Sequence, residues 1–544
     1  MTLVHRLLPG PRPHAELRAA FRWPVPEHYN IAVDVCDRWA AAEPGRLALI
    51  HKRQDGTVER LSYGELARRS NRLANALQAA GLARGDRIGL LLPQCPETTI
   101  THLAAYKLGA VAVPLAALFG PDALEYRLNT SGAKGLVTDT EGLGKIGPIR
   151  DRLTALEFIL SIDGDDGEAR DLAGISADQP ETFAPVATRA DDPALMIFTS
   201  GTTGPPKGAL HAHRVLLGHM PAIEIKHEFF PQDGDVMWTP ADWAWAGGLL
   251  NIMLPALRSG VPVVAYNFRK FDPETAFDLM AEFGVRNTFI PPTALKMLRT
   301  VEAPSEKFDL KLRTLASGGE ALGKETLDWG RAELGLTINE FYGQTECNLV
   351  LSACGAIGVT RPGSIGFPVP GHDVAVIDPE GRVLPAGALG QIAVRRPDPV
   401  MFLEYWGQPD ATADKFIGDW LVTGDQGVVD GDGYFSFVGR DDDVITSSGY
   451  RIGPGEIEDC LLSHPAVKLV AAVGKPDPVR TEIVKAFIVL NEAAAPSPAL
   501  EDELRAHVRE RLSAHEYPRE IAFIDEMPLT TTGKVIRRLL REQV

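Results

Sequence analysis

The stretch Phe198-Thr199-Ser200-Gly201-Thr202-Thr203-Gly204-Pro205-Pro206-Lys207-Gly208 concentrates hydroxyls, glycines and one lysine directly after an apolar run, Ala194 to Phe198. Glycines let backbone N–H groups turn toward a ligand. Ser and Thr hydroxyls add short donors, and lysine adds a mobile positive charge. Together they suit a polyphosphate. The loop is not a Walker A motif, which in this register would need glycine at Pro206 and Ser or Thr at Gly208. By composition alone it also fits a plain Gly/Thr surface turn.

Four further groups follow. Tyr342-Gly343-Gln344-Thr345-Glu346 ends on a carboxylate, as does Thr423-Gly424-Asp425. Gly439-Arg440-Asp441-Asp442-Asp443 precedes Ser448-Gly449-Tyr450-Arg451-Ile452 and Glu456-Ile457-Glu458. Pro528 to Lys534 reads P-L-T-T-T-G-K. In this order the five groups resemble the motifs of the adenylate-forming enzymes: acyl-CoA synthetases, luciferases and peptide-synthetase adenylation domains. The match spans nearly the whole chain.

The resemblance implies a role for each motif. Thr199, Ser200, Gly201, Thr202, Thr203, Gly204 and Lys207 cradle the β and γ phosphates of ATP. Thr345 reaches the α-phosphate, and Glu346 anchors Mg²⁺, a hard cation suited to oxygen ligands. Gly319, Glu320 and Ala321 contact adenine, and Tyr342, Gly343 and Gln344 complete the nucleotide site. Asp425 accepts the ribose hydroxyls, and Arg440 touches ribose or phosphate. Lys534 stabilises charge as pyrophosphate departs. Asp442 is the hinge about which the family's small domain turns between half-reactions. Ser448, Gly449 and Arg451 then line the path of the coenzyme A pantetheine.

These groups need elements to hold them. Apolar strand-like runs alternate with helical patterns: Arg87 to Leu92, Thr98 to Lys107, Ala110 to Leu115, then Gly248 to Leu257, Val261 to Tyr266 and Pro273 to Phe283. Asn287 to Ile290, Leu312 to Ala316 and Thr337 to Phe341 read as further buried strands. The alternation predicts an α/β fold of parallel βα sheets, with ligands beyond the strands' C-terminal ends. The Thr/Gly loop, Gly318-Gly319-Glu320 and the Tyr342 motif are each placed just past such a strand. We expect an N-terminal domain over 1–440, a β-rich subdomain within it at about 363–440, and a small mobile α+β domain over 441–544. The last contains a helix at Pro454 to Leu462, strands at Val467 to Val473 and Ile483 to Leu490, and a helix at Leu500 to Ser513.

At 544 residues the chain exceeds one usual core. Its net charge of −17 argues against general nucleic-acid or anionic-membrane binding, though not against an anion in a local pocket. Cys36, Cys95, Cys347, Cys354 and Cys460 form no C-x-x-C pair, so reduced thiols are expected, with Cys347 packed and inert. Met1 to Trp23 lacks an apolar signal core and no run approaches a membrane span, so the expected location is cytoplasmic. His211 and His213 are expected to be packed or exposed rather than metal ligands.

Asp242 to Gly248 falls along the family's acyl site. On pattern alone Trp238, Trp243 and Trp245 read as core, but the resemblance makes Trp243, Trp245, Ala246, Gly247, Gly318 and Gly343 the expected pocket residues. Acetate-specific relatives carry Trp at the Gly343 position and bulkier residues at Ala246, Gly247 and Gly318, so this pocket is expected to take acids larger than propionate. The chain most resembles medium-chain acyl-CoA synthetases, including relatives for branched, cyclic and aryl acids. No charged residue is evident for a substrate amine or second carboxylate; Asp242 is the only candidate, and acetate-type relatives also carry Asp there. The reading is an AMP-forming acid–thiol ligase using ATP, Mg²⁺ and coenzyme A. The alternatives are an adenylating enzyme serving a separate carrier protein or amine, and a non-enzymatic nucleotide sensor. The segment around Lys534 also resembles a site modified by protein acetyltransferases; either such an enzyme is a partner, or the motif serves catalysis alone.

Overall fold

Val111–Pro114, Gly135–Thr138 and Phe158–Ser161 are buried at every position. Strands of that kind must be covered on both faces, the condition of a parallel sheet flanked by helices. The structure, a computed structural model, describes residues 6–199, 205–320, 322–440, 443–447, 450–477, 480–512, 517–530 and 534–544. The expected residues Ser200, Gly201, Thr202, Thr203, Gly204, Ala321, Asp442, Ser448 and Gly449 lie outside these, as does the side chain of Arg451.

The chain falls into two compact units. The first comprises Met1–Pro362, Gly366–Asp373 and Arg395–Lys415; the second comprises Gly363–Ile365, Val374–Val394 and Phe416–Val544. Among the described residues the first unit carries two large sheets. One has nine strands, with Leu47–Lys52, Val263–Ala265, Met237–Trp238, Asn287–Phe289, Thr314–Gly318 and Ile338–Gln344 running parallel between antiparallel edges. The other has eight, with Pro193–Thr199 parallel to Val111–Pro114, and Lys207–Ala212 returning antiparallel at its side. Helices Tyr63–Ala79, Pro96–Leu108 and Val215–Lys226 contribute to one core cluster with residues of both sheets. Ser62 and Glu65 start the first of these helices with a reciprocal capping box.

Among the described residues the second unit holds two five-stranded sheets. Trp420–Val429 pairs with Phe435–Arg440 in one, and Val467–Asp477 with Thr481–Leu490 in the other. The helix Pro454–Leu462 falls where the sequence places it, and Pro498–Arg511 begins two residues earlier than expected, because Ser497 caps it.

One placement differs from the sequence reading. The strand Ile338–Gln344 runs past Phe341, so Tyr342, Gly343 and Gln344 lie within it, paired with Asn348–Ser352. Only Thr345 to Cys347 form the turn. The strand survives because a partner returns beside it at once, which composition does not announce.

Candidate active site

Strands Pro193–Thr199 and Lys207–Ala212 form an antiparallel hairpin pair up to Thr199 opposite Lys207, at the two borders of the Thr/Gly stretch. Its exit is pinned: the Tyr126 hydroxyl donates to the Pro206 carbonyl at 2.9 Å. The segment Phe402 to Trp406 then lays itself along the returning strand. Leu403 N–H donates to Leu210 O at 2.7 Å, Trp406 N–H to Gly208 O at 2.8 Å, and Phe402 N–H to Glu346 O at 2.8 Å. One short segment therefore ties this strand pair to the Glu346 turn.

Tyr405 makes the same tie through its side chain. Its hydroxyl donates to Glu346 Oε1, and the Lys207 ammonium lies 5.2 Å from its ring centroid. Both Tyr405 and Glu346 are buried. The sequence reading missed Tyr405 because nothing local marks it; it reaches Glu346 only through pairing with Lys207–Ala212.

Among the described residues no group of three or more His, Cys, Asp or Glu side chains could hold a metal. Glu346 is a single hard carboxylate beside the hairpin. That donor set fits a magnesium ion taking one protein oxygen and completing its shell with phosphate and water.

Gly318 ends its strand, and Gly319 follows at φ +100°, a left-handed conformation that favours glycine. Glu320 is half-buried, with Thr293 Oγ1 3.5 Å from its Oε2. Asp242 is half-buried by surface area, yet protein packs around it closely enough to push its carboxyl up to about 6, against backbone donors from Ala244 and Ala117.

The acyl residues separate. Trp245 is half-buried, edge-on to Phe119 at 5.8 Å. Trp243 is a correction: it is 1 % exposed and packed in a core cluster with Trp39, while Trp238 is buried in a second cluster. A Cβ at Gly247 would stand 2.9 Å from Phe289 Cε1, and one at Gly318 would stand 2.4 Å from Phe341 O and 2.8 Å from its ring. Aromatic rings thus occupy space those glycines vacate. Gly343 is the second correction. A Cβ there would stand 1.2 Å from Asn348 O, so its missing side chain points into backbone rather than into a pocket. A bulge at Tyr342/Gly343 brings that carbonyl in, and Asn348 itself sits at φ +47°.

In the second unit, Asp425 is 5 % exposed, and Arg440 lies across the strand pair with Nε 3.7 Å from Asp425 Oδ1. Asp443 accepts from Arg541 and lies 3.5 Å from Arg537, which also pairs with Glu458 at 2.7 Å. Lys534 is exposed, and its N–H donates to Thr530 Oγ1 at 3.0 Å. His211 and His213 are packed: both are fully buried, and burial pushes them down to about 3 and about 4. All five cysteines are free and buried, and burial pushes Cys36, Cys95, Cys347 and Cys354 up to about 12.

Residues 36–406 match the AMP-binding enzyme family, and residues 456–534 match the AMP-binding enzyme C-terminal domain. This chain is a member of the AMP-binding enzyme family. It is 35% identical over 528 residues to the acetyl-coenzyme A synthetase of Bacillus subtilis (strain 168), covering 94% of this chain and 90% of that protein. It is 36% identical over 533 residues to human mitochondrial acyl-coenzyme A synthetase ACSM2B, covering 95% and 91%. An anthranilate CoA ligase, AuaEII, in complex with anthranoyl-AMP, superposes with a TM-score of 0.87 at 30% identity, covering 95% of this chain and 98% of that one. The family architecture is a large α/β AMP-binding domain and a small C-terminal domain, and its chemistry is AMP-forming acid–thiol ligation with ATP. No helix among the described residues is long and apolar enough to cross a membrane.

Proposed function

We propose that this member activates a carboxylic acid larger than propionate as its acyl-adenylate and passes the acyl group to coenzyme A. The observation that carries the reading is the joining of Lys207, Tyr405 and Glu346, which sets a cation and a metal-binding carboxylate against one phosphate hairpin. The acid carboxylate attacks the α-phosphorus of ATP, and pyrophosphate leaves. The thiol then attacks the acyl carbonyl, AMP leaves with the bonding pair, and the thiol proton goes to solvent. Magnesium, held by Glu346, supplies charge neutralisation at the phosphates.

The chain's own groups divide that work. Lys207 and Thr199 border the hairpin that receives the β and γ phosphates. Thr345 sits at the turn beside Glu346, and Gly319 and Glu320 open from their strand for the adenine. Asp425 and Arg440 take the ribose side. Lys534 serves adenylate formation alone, while the segment with Gly449 serves thiol transfer. Ala246 carries little bulk, which supports an acid longer or broader than propionate. The test is incubation with ATP, Mg²⁺ and a panel of linear, branched and aromatic acids, with and without coenzyme A. AMP release that depends on acid, with thioester formed only when coenzyme A is added, is expected. Adenylate that forms but never reaches coenzyme A would favour a carrier protein or amine as acceptor.

A further inference from the structure

The helix Val215–Lys226 is buried along its whole length and ends on a cation. Lys226 is 0 % exposed. Its Nζ donates to Asn251 Oδ1 at 2.5 Å, the same oxygen that His219 Nε2 approaches at 3.1 Å. Among the described residues no carboxylate pairs with it. Glu224, on the same helix, is committed to the N–H groups of Leu7 and Leu8. The neighbouring titratable groups are His219 and His227, both held neutral by burial. An ammonium offers three donors, and one neutral oxygen shared with a histidine satisfies one of them. A buried cation with no counter-charge is expensive, and burial accordingly pushes the Lys226 amine well below its ordinary value.

Its position gives that expense a use. Nζ lies 4.3 Å from the Phe341 ring centroid and 5.5 Å from that of Phe289. These are the rings that fill the space beside Gly318 and Gly247. Phe289 is buried, but Phe341 is half-buried, so part of it reaches accessible surface where the ammonium does not. The Phe341 ring thus touches both the buried amine and accessible surface.

We propose that Lys226 is the polar end of the acyl site, and that the preferred acid carries a second oxygen acceptor on the far end of its chain or ring. That oxygen, whether hydroxyl, keto or carboxylate, takes a hydrogen bond from Nζ when the Phe341 ring turns aside. Asn251 holds the amine in place meanwhile. The inference rests on the acyl-CoA synthetase reading and narrows its substrate class.

The experiment pairs acids of equal skeleton with and without the distal oxygen: hexanoate against adipate and its hydroxy counterpart, benzoate against terephthalate and hydroxybenzoate. AMP release gives kcat/KM for each. The oxygenated member of at least one pair should win by about tenfold or more, as expected where a built donor meets its acceptor. In Lys226→Met that preference should collapse through KM, with kcat for the oxygenated acid little changed. Asn251→Asp, a near-isosteric change, should also erase it by giving the ammonium a partner, which guards against a Lys226→Met protein that fails to fold. Wild-type preference for the plain acid in every pair, or a preference that survives both substitutions, overturns the inference and leaves the synthetase reading intact. No AMP from any acid would instead remove the reading on which it stands.

Discussion

Tyr405 shows what one hydroxyl can coordinate. It is the only described side chain shown donating to Glu346, and its ring sits under Lys207. Removing a hydrogen bond to a charged group costs about 1.5–3 kcal/mol. Tyr405→Phe should therefore raise the Mg²⁺ concentration needed for half-maximal adenylate formation by about tenfold or more. It should weaken Mn²⁺ binding in the presence of ATP by a similar factor, measured by electron paramagnetic resonance. An unchanged metal requirement would mean that Glu346 holds its orientation alone. Gly343 makes the opposite point, because what matters there is the atom it lacks. With Asn348 O 1.2 Å from where a Cβ would be, Gly343→Ala should destabilise the protein by about 3 kcal/mol or more, read by urea unfolding. An indole at Gly343 would break the strand pair rather than shorten the acyl pocket. The motif order was enough to expect a special glycine. Its direction was not legible, because direction depends on a bulge that appears only when Asn348–Ser352 returns.

At the scale of elements, the C-terminal helix Arg537–Arg541 is fastened to Asp443 and to the helix Pro454–Leu462. Arg541 and Arg537 both reach Asp443, and Arg537 also holds Glu458 on the helix Pro454–Leu462. Glu458 in turn accepts from Ala472 N–H at 2.8 Å. The network is partly buried, so it is worth more than exposed pairs. Arg541→Met should loosen it by about 1–3 kcal/mol. Hydrogen exchange should quicken across Ile445–Ser447 and Pro454–Leu462, while Arg87–Leu91 in the other unit keeps its protection. Uniform change in both units would refute a local clamp. The helices and strands themselves were readable from periodicity, since long buried runs leave few alternatives. Lys226 had a signal that went unread: a charge closing an otherwise apolar helix, two residues from Glu224 and so on a different face.

Over the whole molecule, the buried histidines set a response to acid. Burial holds His102, His211 and His219 at about 3 and His213 at about 4, against 6.5 for a free ring. A group depressed in the folded state gives its full stabilisation above its unfolded value and loses it as pH falls toward the folded one. At pH 5 each ring should cost about 2 kcal/mol. Glu224, raised to about 7, and Asp242, raised to about 6, act in the opposite sense, since their neutral forms are favoured and acid stabilises them. Four depressed histidines outweigh two raised acids, so the urea midpoint should fall between pH 6.5 and pH 5. A midpoint that holds or rises would show that these rings are protonated in the folded state. Fold class followed from strand–helix alternation, and the order of five motifs sufficed to place the chain in its family. The proposed polar end of the acyl site depends on rings and an amine brought together from segments far apart, and no spacing rule records that.

The five buried cysteines have a consequence for self-protection. An acyl-adenylate is a strong electrophile, and Cys347 directly follows Glu346 in the chain. A thiol pushed to about 12 and shut away from solvent is almost never a thiolate near neutral pH. On the proposed reaction, Cys347 would offer no sulfur to capture the activated acyl group and would not compete with the incoming thiol.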